Sequence, residues 1–248
     1  MSFEALATIF IALAVGSFAK SVTGLGLPLI AVPVMATVLG VQTAVVTMVF
    51  PSTVTNAILL WTHRRAAQRL SNLVPLIAFG VLGTIVGTWG LSRLDDGLLS
   101  LFLAAWVAFY LVYAALKPKV ELGPRASRIL APPVGIVAGL LQGTMGTCSP
   151  IIGPYVHAYR LEPSAYIFAV TSFFMTVSLA QIVSMIQLDL FTTERVYGGL
   201  LALVPALAVM PIAIHLSKRM SRSVFDTVIK VMLVGIGLKL AAHGLFGW

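Results

Sequence analysis

The sequence predicts an all-α polytopic membrane protein with about 8–10 membrane helical segments. They form two inverted-topology repeats with broken or re-entrant Gly/Pro-rich hairpins. Three observations lead there: composition, the length of the apolar runs, and the placement of the basic residues. Of 248 residues, 59% are hydrophobic and 10% charged, and mean hydropathy is +1.01. A soluble domain carries about 25% charged residues to cover its surface, so this chain cannot clothe a water-facing exterior. The runs are apolar for about twenty residues at a time, the length of a spanning helix. A membrane barrel would instead alternate apolar and polar positions over about ten. High apolar content and a single cysteine, Cys148, exclude disorder and a disulfide scaffold.

The net charge of +8 does not point to nucleic acid, because the basic residues are dispersed among short loops. His63, Arg64, Arg65 and Arg69 form one group, Lys117, Lys119, Arg125 and Arg128 a second, Lys218, Arg219 and Arg222 a third. Short basic loops between apolar runs mark the cytoplasmic side.

Taken in order, the first-half segments are 3–19, 22–38, 41–61, 72–92 and 97–116. The first follows Met-Ser-Phe-Glu without a basic n-region and reads as a retained span, not a cleaved signal. The polar stretch 117–128, with two prolines and four basic residues, reads as a connector. Beyond it lie 129–145, 147–161, 163–187, 194–216 and 221–243. Three domains follow: a first repeat over 1–116, a cytoplasmic linker over 117–128, and a second repeat over 129–248. The halves correspond at an offset of 122 residues, which superposes Gly24 on Gly146 and Pro28 on Pro150. With the basic loops inside, Arg93–Asp96 and Asp189–Arg195, each net acidic by one, fall outside. The two halves then enter from opposite faces, an arrangement found in many secondary transporters, and both termini lie outside. Charge counting leaves open whether 3–19/22–38 and 129–145/147–161 are pairs of full spans or hairpins that turn back within the membrane.

The middle of each pair holds the candidate chemistry. The first break contains Lys20, Ser21, Thr23, Gly24, Gly26 and Pro28; the second contains Gln142, Gly143, Thr144, Gly146, Thr147, Ser149 and Pro150. A proline in a first helical turn loses nothing by lacking its N–H. The other unpaired N–H groups there, with the positive end of the helix dipole, favour an anion. Glycine permits close backbone approach, hydroxyls add donors, and Lys20 adds a full charge. Tight helix packing explains such a break equally well when it occurs once; recurrence in both halves favours a site. On the third segments, Ser52 and Asn56 share a face, as do Ser178 and Gln181. Their amides must face the bundle interior, either as glue between helices or, at Asn56 and Gln181, as lining of the site. Gly80, Gly83, Gly87 and Gly90 form a small face that reads as packing. Asp226 and Lys230 are placed to pair along a helix. Trp61, Trp89 and Trp248 suit interfacial anchors. No carboxylate pair, metal cluster, Ser-His-Asp arrangement or Walker A motif interrupts the apolar runs, which disfavours an enzyme and implies no cofactor and no metal.

Residues 16–35, GSFAKSVTGLGLPLIAVPVM, and 138–156, AGLLQGTMGTCSPIIGPYV, together with the two-half layout, resemble the TauE/SafE family of sulfite exporters and anion permeases. The glycine-rich stretches match by type at Gly24, Gly26, Gly143 and Gly146, although Thr144-Met145 and Thr147-Cys148 stand where more glycine is expected. The resemblance implies a small sulfur-containing anion as substrate, sulfite or an organosulfonate such as sulfoacetate. The expectation is a multi-pass protein of a bacterial-type cytoplasmic (inner) membrane that exports this anion by alternating access, with the lipid bilayer as its surroundings and no nucleic acid partner. An anion channel, or a receptor or assembly subunit that binds an anion without moving it, are the alternatives.

Overall fold

A computed structural model describes residues 3–23, 27–69, 73–116, 124–217 and 222–246, and among them every long element is a helix. In chain order these are α1 (Phe3–Thr23), α2 (Pro28–Leu39), α3 (Val41–Thr62), a 3₁₀ segment (Arg64–Arg69), α4 (Val74–Arg93), α5 (Asp96–Leu116), α6 (Pro124–Met145), α7 (Ser149–His157), α8 (Pro163–Gln187), α9 (Thr193–Ser217) and α10 (Arg222–Phe246). Among the described residues, five stretches are long and apolar enough to cross a membrane: α3, α4, α5, α8 and Ile229–Phe246 of α10. The all-α polytopic reading therefore holds.

The helix lengths decide what the two Gly/Pro breaks do. α1 has 21 residues and α6 has 22, enough at about 1.5 Å per residue for a hydrocarbon core of about 30 Å. α2 has 12 residues and α7 only 9, about 18 and 14 Å, so neither crosses alone. Each break thus joins a long helix to a short one, and the second arms are not full spans.

The chain divides into two compact units. One contains α1, α2, α3 as far as Pro51, α5, α9 and α10; the other contains the rest of α3, α4 to Ser92, α6, α7 and α8. The dividing point inside α3 falls at a proline, where the helix lacks a backbone donor.

In the first unit α1 packs on α9, and α5 packs on α10. Leu29 and Ile30 of α2 meet Val107 and Tyr110 of α5 and Ile229 and Leu233 of α10 in one core. Gly40 separates α2 from α3 with φ +75°, a conformation that costs glycine little. Its neighbour Val41 donates its N–H to Asp96 Oδ1 at 2.8 Å, so the first carboxylate of α5 caps α3. Asp96 also lies 3.3 Å from His243 Nε2 in the last turn of α10, and Arg195 of α9 donates to Gln42 Oε1 at 2.6 Å. The start of α3, the two loops predicted outside and the end of α10 thus share one end of this unit.

In the second unit, glycines determine the packing. Gly83 and Gly87 of α4 and Gly135, Gly139 and Gly143 of α6 lie so close to the other helix that a Cβ on any of them would strike its backbone carbonyl, while a Cβ on Gly80, whose own carbonyl sits against Gly139, would strike the Phe173 ring of α8. Gly90 lies outside this zipper, with nothing within 4 Å of its Cβ position, so the small face read from the sequence is three glycines long, not four. The opposite side of α4 exposes Leu82, Ile85, Val86 and Trp89. Small residues inside and large apolar ones outside is the inverse of a water-soluble helix and suits lipid. At one end of this unit His63 Nδ1 meets Ser164 Oγ at 2.9 Å, and Tyr155 donates to Ser127 O at 2.5 Å. These residues adjoin two of the loops predicted cytoplasmic.

Candidate functional site

The better-defined break joins α6 to α7. α6 ends at Met145, and Gly146 follows with φ +67°, donating its N–H to Gln142 O at 2.8 Å. This left-handed residue closes the helix and turns the chain, a step for which glycine has no steric penalty. Thr147 and Cys148 carry the chain into α7, where Ile151 and Ile152 N–H both donate to Cys148 O, at 3.0 and 3.2 Å. Pro150 occupies the first turn, as the sequence predicts.

A buried polar cluster holds this turn against α8. Gln142 Nε2 donates to Gln181 Oε1 at 3.1 Å. Gln181 Nε2 in turn donates to Gln142 O at 3.0 Å and Gly143 O at 3.3 Å. Cys148 Sγ donates to Gln142 Oε1 at 3.6 Å. Gln181 uses its amide hydrogens on two carbonyls of the last turn of α6, of which Gln142 O also accepts from Gly146 N–H. Of the two roles open to Gln181, the hydrogen bonds are those of interhelical glue. Cys148 completes the cluster, and sequence reasoning passed over it; its position between Thr147 and Ser149 was the available signal.

Two hydroxyls beside this cluster have no hydrogen-bond partner among the described residues. Thr147 Oγ1, in the turn itself, and Ser178 Oγ, one helical turn before Gln181, are each on residues only 1% exposed. A buried polar group without a partner is costly and calls for an explanation. Ser149 is buried at the first position of α7.

The remaining sequence candidates divide clearly. Gly143 packs against α4, and Thr144 donates to Leu140 O at 2.7 Å and Gly87 O at 3.3 Å, so both brace the glycine zipper. Asn56 is buried on the part of α3 that belongs to this unit, and no hydrogen bond among the described residues joins it to the glutamines. Ser52 O accepts from Thr55 Oγ1 at 3.1 Å. Lys20, Ser21 and Thr23 lie in the last turn of α1, in the other unit; their side chains, with Gly24 and Gly26, lie outside the described residues, as do the Asp226 side chain and Trp248. The first break keeps the same plan, a long helix and then a short one opened by Pro28.

Among the described residues no group of three or more His, Cys, Asp and Glu side chains could hold a metal. The model of the family "Sulfite exporter TauE/SafE" matches residues 8–240. The chain belongs to that family. Neither a curated protein nor a solved structure gives a match. As a TauE/SafE protein with long apolar helices, it is a multi-pass membrane protein of an anion-exporter family.

Proposed function

We propose that this TauE/SafE protein is a secondary transporter of a bacterial-type cytoplasmic membrane that exports a small sulfur-containing anion, sulfite or an organosulfonate such as sulfoacetate. The observation that carries the proposal is the buried, unpartnered Thr147 hydroxyl in the turn that opens α7, next in the chain to Cys148, which donates to Gln142 of the Gln142–Gln181 pair. A helix start, an orphaned hydroxyl and no carboxylate together favour a bound oxyanion. Lys20, Ser21 and Thr23, with Gly24 and Gly26, are the proposed counterpart in the first break, and Ser149 and Asn56 complete the proposed lining.

The two-repeat organisation is part of the same reading, and the packing of each unit supports it. α1 opens the first half and packs on α9, the fourth helix of the second. α6 opens the second half and packs on α4, the fourth helix of the first. The fifth helices, α5 and α10, pack on each other. Exchange of equivalent elements is what a pseudo-two-fold relation between the halves produces.

The test is saturable uptake of labelled sulfite and sulfoacetate by proteoliposomes, with Thr147→Val and Lys20→Ala alongside. Each variant should lower uptake at least tenfold while leaving the detergent-purified protein folded. Wild-type uptake by both would remove the breaks from the mechanism.

A further inference from the structure

The second unit concentrates its charge at one end, where α3 and α7 finish and α6 and α8 begin. Three contacts bring those termini together. His63 Nδ1 meets Ser164 Oγ at 2.9 Å, Tyr155 donates to Ser127 O at 2.5 Å, and the His157 ring lies 6.0 Å from that of Tyr166. Arg64, Arg65, Arg125, Arg128 and Arg160 are all exposed in this region, where the one described carboxylate is Glu162. No Asp or Glu occurs between residues 5 and 94, so the chain gives Arg64 and Arg65 no local counter-charge. Among the described residues neither arginine forms an ion pair.

Orientation in a membrane needs positive charge but no particular geometry. Arg64 has a particular geometry. Its guanidinium carbon sits 4.1 Å over the Trp61 ring, and Nη1 donates to Trp61 O at 2.8 Å. Stack and bond together hold a planar donor group in one orientation, and most of its five N–H donors have no partner among the described residues. The surface beneath it is apolar: Trp61 is 70% exposed, and Ile58, one turn earlier on α3, is 49% exposed. The 3₁₀ segment that carries the arginines packs on α8, with His63 bonded to Ser164, so the loop is fixed against a long helix.

We propose that this end of the second unit binds an anionic phospholipid, its phosphate held by Arg64 and Arg65 and its acyl chains lying along Ile58 and Trp61. A phosphodiester matches the guanidinium fork with two parallel, charge-assisted hydrogen bonds. An indole suits the level of the headgroups, where one side is apolar and the other wet. Free phosphate would answer the arginines and leave the exposed Ile58 and Trp61 uncovered. A zwitterionic lipid would cover them and bring no net charge to the arginines. A lipid of net negative charge satisfies both halves of the surface. The site lies at the opposite end of α6 from the break and is independent of which anion is transported.

The experiment follows thermal unfolding of the full chain in neutral detergent as phosphatidylglycerol, phosphatidylcholine or glycerol 3-phosphate is added. A ligand that binds the folded protein raises the unfolding midpoint with its concentration. Phosphatidylglycerol should raise it saturably. Phosphatidylcholine should need about tenfold more for the same rise, and glycerol 3-phosphate at matched concentration should have no effect. Arg64→Lys keeps the charge, and with it the orientation signal, but loses the fork and the stack. It should raise the phosphatidylglycerol concentration for half-maximal effect by about threefold or more, and Trp61→Ala should do the same. Arg93→Lys, in the last turn of α4, should titrate as wild type. Equal effects of the two phospholipids, an equal effect of glycerol 3-phosphate, or wild-type titration by Arg64→Lys would overturn the site. Arg64 is exposed, so its variant folds and decides the question even if Trp61→Ala does not.

Discussion

Gln142 and Gln181 had to face the bundle interior because amides in hydrocarbon must bond, and that much follows from the sequence. Their mutual hydrogen bonds did not follow, since 39 residues separate them and only the packing of α6 on α8 brings them together. Gln181→Leu should leave Gln142 Nε2 and Gly143 O unsatisfied and destabilise the protein by about 1–3 kcal/mol. Thermal unfolding in detergent checks this. Thr147→Val separates structure from function, because a hydroxyl with no partner contributes no bond to lose. It should leave the unfolding midpoint unchanged or slightly raised while uptake falls at least tenfold; a fall in both together would mark the hydroxyl as structural. In the other unit, Asp96→Ala removes the cap on α3 and the partner of His243, and should cost about 1 kcal/mol in the same unfolding assay. Asp96 was legible as a polar loop residue, but its role as a cap 55 positions away was not.

At the scale of elements, the glycine face of α4 was readable from spacing, whereas its partner on α6 was not, because Gly135, Gly139 and Gly143 become a face only once the two helices meet. The contact makes a sharp prediction. Gly139→Leu should prevent α4 and α6 from closing and abolish folded protein on size-exclusion chromatography, since its Cβ would meet Gly80 O. Gly90→Leu, with open space at its Cβ position, should behave as wild type. The short α2 and α7 were half legible: Gly and Pro marked the breaks, but charge counting is blind to whether a segment crosses. Helix length resolves it. Pro51, where α3 passes from one unit to the other, is a further element-scale feature. We expect Pro51→Ala to restore the backbone bond, stiffen α3 and lower maximal uptake more than apparent affinity, read from initial rates against substrate concentration.

For the molecule as a whole, composition alone placed the chain in a membrane, because 10% charged residues cannot cover a soluble surface of this size. The division into compact units was not legible. The sequence halves meet at the basic linker, yet each compact unit takes helices from both halves. Local patterning records order along the chain and carries no record of which distant helices pack. The lysine-bearing break and the break with the orphaned threonine belong to different units, and the unpartnered hydroxyl lies in the second. The central claim is that this TauE/SafE protein moves a sulfur oxyanion through a path that depends on Thr147. The most direct measurement is initial-rate uptake of labelled sulfite into proteoliposomes by the wild-type protein and by Thr147→Val at equal, folded incorporation. The account predicts saturable uptake for the wild type and at least a tenfold loss in the variant; no protein-dependent uptake, or equal uptake by both, would contradict it.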